Sequence, residues 1–393
     1  MDLHEHQAKR LIAAYGIATP IGETARSADA AGQAARRLGC PSFVVKAQIL
    51  AGDRKQGGGI RFASTPGEVE KAAQQLIGSK LTTRQTGSAG AMVEAVHIEE
   101  MVRVAQNLYL AITIDKRAGR IVMLASGTGG EDIEQRTGTG GDLVERLELK
   151  LEGNRLDGNF DTFSGRIVSE DKLKRGLATI MRNLAAAFAG SDASLIEINP
   201  LAISQDGRLI ALDAKATIDD NSLFRHTELA EIRTSGPVPV DAAELEAQRY
   251  QINYMRLNGN IGCVVNGAGL ALATHDLIVD EGGQPANFMD IRTTATSIDI
   301  AHGFGLILKN PAVKAVYVNV HGGGMQRCDT IAEGIGIAMR RSGRRLPIII
   351  RMAGNNAAFA ETVLSNNGVA YIAADDMSEG ARLAVQAARR EAA

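Results

Sequence analysis

The stretch Leu195-Ile196-Glu197-Ile198-Asn199-Pro200-Leu201, followed by Ser204-Gln205-Asp206-Gly207 and Leu212-Asp213-Ala214-Lys215, reads as two strands joined by a tight turn. Side chains alternate along a strand, so Glu197 and Asn199 share a face. A three-residue loop, Gln205-Asp206-Gly207 with Gly207 left-handed, sets a register that pairs Asn199 with Asp213 and Glu197 with Lys215. Two oxygen donors then face each other across the hairpin, with a third carboxylate nearby. A small oxygen set completed by phosphate and water suits Mg²⁺. The alternative is a hairpin carrying ordinary cross-strand polar pairs.

Upstream of this hairpin, helical and strand patterns alternate without a regular repeat. Residues 2–15 predict a helix ended by Gly16, and residues 172–189 a longer one before the strand 193–199. Residues 108–114 and 121–125 predict two strands around a turn. The run Ser42–Ile49 predicts a buried strand, and a glycine-dense loop follows it, Gly52-Asp53-Arg54-Lys55-Gln56-Gly57-Gly58-Gly59. Lys46, inside that strand, can meet a phosphate while loop N–H groups cover it, with Arg54 and Lys55 adding charge. A surface hairpin with a snorkelling lysine is the competing reading. The spacing is not a Walker A motif, and no GxGxxG fingerprint is present.

Downstream, Ser235-Gly236-Pro237-Val238-Pro239-Val240 has two prolines and no helical period, so residues 235–243 are the expected linker between domains 1–234 and 244–393. Beyond it, short apolar strands (262–265, 313–320, 347–351, 370–374) alternate with helices. That pattern implies a parallel sheet with right-handed crossovers, a small doubly wound α/β domain. Two glycine loops leave such strands, Asn266-Gly267-Ala268-Gly269 and His321-Gly322-Gly323-Gly324-Met325-Gln326-Arg327. Both fall at carboxyl ends of parallel strands, where open α/β sheets bind ligands, and the first opens a helix whose free N–H groups suit an anion. A tight turn with no ligand is the alternative for either loop.

Bulk properties agree with a multidomain protein of 393 residues with 45% hydrophobic residues. A net charge of −2, 4% aromatics and no Trp give no footprint for nucleic acid. No run of about 18 apolar residues suggests a membrane span. The charged start, Met1-Asp2-Leu3-His4-Glu5, lacks a signal-peptide pattern. The three cysteines, far apart, imply neither a disulfide framework nor a zinc site. The expectation is a cytoplasmic protein with no membrane partner.

In this order these segments resemble the β subunit of succinyl-CoA synthetase and its relatives, malate–CoA ligase among them. The likeness runs through Leu3-His4-Glu5-His6-Gln7-Ala8-Lys9, Val45-Lys46-Ala47-Gln48, the hairpin above, and Leu223-Phe224-Arg225. It continues through Gly259-Asn260-Ile261-Gly262-Cys263, Val265–Ala271, Pro285-Ala286-Asn287-Phe288-Met289-Asp290 and Arg327-Cys328-Asp329. The resemblance implies an N-terminal ATP-grasp fold followed by a flavodoxin-like CoA-ligase domain. It also implies an ADP-forming acid–CoA ligase, with an α subunit carrying the CoA site and a histidine that ATP phosphorylates. The phosphoryl group passes to the acid, and CoA displaces phosphate.

By this resemblance Lys46, Asp53, Arg54, Lys55 and Glu94 match nucleotide contacts, Asn199 and Asp213 match Mg²⁺ ligands, and Glu197 a carboxylate near the phosphohistidine. The helix opened by Asn266–Gly269 resembles the one that holds the phosphohistidine. Three departures stand out. The family's Gly-Gly-Arg-Gly-Lys loop reads Gly52-Asp53-Arg54-Lys55-Gln56. Between Glu94 and Leu108-Tyr109-Leu110 this chain has about five extra residues, and the family's usual acid before that strand is Asn107. The usual Asp-Val-Gly-Gly-Gly-Ala run is Asp290-Ile291-Arg292-Thr293-Thr294-Ala295, and the acid-contacting loop with Gly323, Gly324, Met325 and Gln326 is one residue longer.

Arg292, Thr293 and Thr294 fill space and add a cation and two hydroxyls. The acid expected from this is not succinate but a shorter or more polar dianion, a hydroxy-dicarboxylate or a sulfonated acid such as sulfoacetate, with Arg292 on its distal anion. Arg292 facing solvent or the partner subunit is the alternative. A degenerate nucleotide-binding subunit that regulates or scaffolds such a complex is the rival function.

Overall fold

The computed structural model describes residues 1–87, 90–130, 133, 144–153, 155–235, 242–250, 252–323 and 325–391. Two compact units emerge, Met1–Pro237 and Val238–Ala393. Of the expected linker, residues 236–241 lie outside the described residues, as does Gly324.

The first unit is built on two main sheets. In the smaller, the strands run in the order Gly22–Ala25, Val96–Glu100, Phe43–Ala47, Ile60–Ala63, all antiparallel. Helices Ala28–Leu38 and Pro66–Leu76 cover one face and bury Ala35, Phe43, Val45, Val69 and Ile98. Local chemistry sets their limits. Ser27 and Thr65 cap the two N-termini through the N–H groups of Ala30 and Glu68, and Pro66 opens the second helix without a missing bond.

In the larger sheet, Arg155–Asp157, Glu145–Glu152, Arg120–Ser126, Val104–Asp115 and Ala193–Ser204 lie side by side, and Leu209–Ala211 and Ala214–Ile218 both pair with the last. Helices Glu5–Ala14, Phe160–Ile167 and Asp171–Gly190 pack on it around Ile12, Leu110, Phe163, Leu184 and Ile196. The hairpin register is the expected one. Glu197 sits opposite Lys215, the Asn199 N–H donates to the Asp213 carbonyl, and Gly207 takes φ +77°.

The second unit has a six-stranded sheet in the order Ile252–Arg256, Asn287–Ile291, Ile261–Val265, Ala315–Gly322, Ile348–Gly354, Ile372–Ala373. The last five are parallel and follow the flavodoxin-like order 2-1-3-4-5. The first strand is antiparallel, an edge the sequence pattern did not announce. Val316, Val318 and Val320 pack one face against Phe304 and Ile331, while Cys263 and Tyr317 meet the last helix on the other. Order reverses between the strands 261–265 and 315–322, and at that switch point the two glycine loops emerge.

Candidate functional site

The two sheets of the first unit enclose a cavity of about 570 Å³. Lys46, Asp53, Arg54, Lys55, Glu197, Asn199 and Asp213 all line it, as do Asn107 and Lys215. The sequence placed these residues on different segments, and the fold brings them together around the wall of one cavity.

Five lining residues, Glu5, Lys46, Arg54, Glu99 and Asp213, form with Lys9 a cluster of alternating charges. Lys46 Nζ reaches Glu5 Oε1 and Glu99 Oε2, each at 2.8 Å, and donates to the Leu212 carbonyl at 2.6 Å. Its three donors are therefore all used. Lys9 pairs with Glu5 at 2.9 Å and with Glu99. Arg54 donates from Nη1 to Glu5 Oε2 and from Nη2 to Asp213 Oδ2, each at 2.6 Å, and also to the Ala47 carbonyl. Three cations thus face three carboxylates. Burial opposes ionisation of Glu5, but Arg54, Lys46 and Lys9 outweigh it and hold the carboxyl well below its usual range. Glu99 behaves likewise: burial works against Lys46 and Lys9, which bring it down to about 2.

Glu94 does not join this wall. It is exposed, before the strand Val96–Glu100, and is absent from the cavity lining, whereas Glu99 is buried on that strand and faces Lys46. The offset, 99 − 94 = 5, equals the apparent insertion before Leu108, so matching the family glutamate to Glu99 instead removes the extra residues. Alternation along the strand was the available signal, because Lys46 stands opposite His97 and its side chain reaches the next residue on that face. Glu5 and Lys9 were also missed. They stand one helical turn apart on the first helix, and both are buried.

The hairpin donors are engaged. Asn199 Oδ1 accepts from the Gly130 N–H at 2.8 Å, and its Nδ2 donates back to the Gly130 carbonyl at 3.2 Å. Asn107 Oδ1 is buried with no hydrogen-bond partner among the described residues. Lys55 is exposed at the rim. Asp53 adopts φ +57° and its Oδ2 accepts from Arg84 Nε at 2.8 Å.

In the second unit the called residues fall on one edge of the sheet. Asn266 donates from Nδ2 to the His321 carbonyl at 2.8 Å, and its Oδ1 accepts from the His321 N–H at 2.9 Å. The Gly267 N–H, expected to be free for an anion, instead donates to Asp290 Oδ1 at 2.6 Å. A carboxylate takes the first amide of that helix start because the adjacent parallel strand ends there. Arg292 donates from Nε and Nη2 to Asn253 Oδ1, at 3.1 and 3.0 Å, on the antiparallel edge strand. Arg292, Thr293 and Thr294 are exposed. The Gly323 N–H donates to the Gln326 carbonyl, leaving Met325 73% exposed at the tip while Gln326 is buried with Nε2 unpartnered among the described residues.

Residues 2–203 match the ATP-grasp domain family and residues 264–385 the CoA-ligase family. The ADP-forming succinate–CoA ligase subunit beta of Burkholderia vietnamiensis (strain G4 / LMG 22486) is 41% identical over 388 residues, covering 99% of this chain and 99% of the relative. The chain belongs to the succinate–CoA ligase β-subunit family. Its counterpart in Herminiimonas arsenicoxydans is 40% identical over 390 residues, 99% of this chain and 100% of the relative. Members of this succinate–CoA ligase family are ADP-forming acid–thiol ligases. The fold is shared with ATP citrate lyase from Methanothrix soehngenii in complex with citrate and coenzyme A, at a TM-score of 0.78 and 18% identity over 98% of this chain and 99% of that one. Among the described residues, no helix is long and apolar enough to cross a membrane.

Proposed function

We propose that this chain is the β subunit of a cytoplasmic ligase that joins a small dianionic acid to CoA, with an α subunit supplying the CoA site and a histidine phosphorylated from ATP. The nucleotide would occupy the cavity above Lys46 and Glu99, its phosphates facing the loop of Asp53, Arg54 and Lys55. Asn199 and Asp213 would hold Mg²⁺. Their donors, an amide oxygen and a carboxylate, suit that ion, and Asp213 already seats a cation, the Arg54 guanidinium. When bound, the ion neutralises phosphate charge during transfer. Glu197, opposite Lys215 on the cavity wall, would orient the incoming histidine.

The acid we infer is not succinate but a shorter or more polar dianion, such as a hydroxy-dicarboxylate or a sulfonated acid. One observation carries this: Arg292 is held at the carboxyl edge of the sheet by the neutral amide of Asn253, which positions its charge without cancelling it. Asn266 and the segment Gly323–Gln326 would complete the acid's surroundings. Kinetics of the co-expressed pair with a panel of acids tests the reading. A preference for succinate that Arg292→Gly leaves untouched overturns it.

A regulatory, non-catalytic subunit is favoured by a different observation: Arg54 covers Asp213, and Lys46 has no spare donor. ATP-dependent phosphorylation of an α-subunit histidine in the co-expressed complex rejects that alternative.

A further inference from the structure

The glycine-dense loop has a back as well as a front. Its front carries Asp53, Arg54 and Lys55 on the cavity wall. Behind it lies the segment that follows the short strand Lys80–Leu81, itself paired with Ala91–Met92. Neither Arg84 nor Gln85 lines the cavity. Both nevertheless grip the loop. Gln85 Oε1 accepts from the Gly52 N–H at 2.8 Å, and Arg84 Nε donates to Asp53 Oδ2 at 2.8 Å.

The packing is close. A Cβ on Gly57 would stand 2.6 Å from the Thr82 carbonyl oxygen, so this glycine seats the loop on its neighbour. It does not merely clear space for a ligand.

Asp53 makes the arrangement more than a packing detail. Its φ of +57° lies where L residues other than Asn and Asp rarely go. Only 7% of its side chain is accessible, against 50% of Arg84. A carboxylate on a loop meant to receive phosphates repels them unless it is paired. Arg84 supplies that pairing from outside the cavity.

We propose that Arg84 and Gln85 form a clamp that holds the loop Gly52–Gly59 in its nucleotide-receiving shape and neutralises Asp53 toward the incoming phosphates. Arg84 is thus a positioning residue. The clamp rests on the nucleotide reading above for its purpose, though not for its geometry.

Two measurements on the co-expressed complex separate the parts. Hydrogen exchange without ligand reads the loop itself, and Arg84→Ala should speed exchange across residues 52–59. Calorimetry with Mg–ADP reads the charge effect. Arg84→Ala should weaken binding about fivefold, Arg84→Lys should recover part of the loss, and Asp53→Gly added to Arg84→Ala should return affinity to within about twofold of Asp53→Gly alone. A loss that persists when residue 53 is Gly, or that is the same at low and high salt, overturns the electrostatic half. Unchanged exchange in Arg84→Ala overturns the clamp. A wild-type complex that takes up no Mg–ADP overturns the nucleotide reading, while the exchange data still decide whether the loop is held.

Discussion

Arg54 Nη2 lies 2.6 Å from Asp213 Oδ2, so the carboxylate proposed above to hold Mg²⁺ already holds a guanidinium. The same guanidinium neutralises Glu5 through its other nitrogen. On that proposal, cation and metal would compete for one oxygen.

Removing that competitor should expose both effects. Arg54→Ala leaves Glu5 without one of its cations and frees Asp213, a change expected to lower stability by about 3–5 kcal/mol. Millimolar Mg²⁺ should then raise the melting temperature of the variant more than that of the wild type. Equal magnesium responses would refute the competition.

Glu94 and Glu99 give a clean contrast. Glu99→Gln unbalances Lys9 and Lys46 inside the cluster and should cost about 3 kcal/mol in urea unfolding. Glu94→Gln changes an exposed side chain and should fall within about 0.5 kcal/mol of wild type. Reversed magnitudes would mean that Glu99 does not balance the buried lysines.

Acid should weaken the first unit in two stages. Burial, followed by His6 and Arg54, lowers His4 to about 4, from 6.5 in an unfolded chain. The neutral ring is favoured in the fold, so its contribution is complete above pH 6.5 and is lost as pH falls toward 4. Glu99, held down to about 2, contributes fully above pH 4.5 and loses its contribution as pH falls through 2. Unfolding free energy should thus drop on the order of 2 kcal/mol between pH 7 and pH 4.5 on account of His4. His4→Asn should flatten that part of the profile, which urea titrations at several pH values would reveal.

Asn253 offers a test of the proposed acid site that leaves Arg292 in place. Asn253→Asp sets a carboxylate against the guanidinium and cancels its charge. The KM for the preferred dianionic acid should rise about tenfold with the KM for ATP unchanged. Parallel rises in both would point to a folding defect.

How far these features were legible in the sequence depends on the range of the forces involved. The register of the hairpin followed from strand alternation and one left-handed glycine, both local, so the opposition of Glu197 and Lys215 could be read directly. The burial of Glu5 and Lys9 could not. Charged residues one helical turn apart look solvated until a sheet from the other end of the unit covers them. The strand Ile252–Arg256 was missed because its Asn253 and Arg256 break the apolar run expected of a buried parallel strand, and only an edge position tolerates them. The Arg292–Asn253 contact depends on that strand, so it stayed hidden too.

Asn266 and His321 share two hydrogen bonds across neighbouring strand ends, like the two screws of a bracket. A single screw lets two plates swivel, and a pair forbids it. The first glycine loop is thereby tied to the start of the second at two points. If the two loops hold the acid as proposed above, a fit gained at one would be felt at the other, and a change of selectivity would call for paired substitutions.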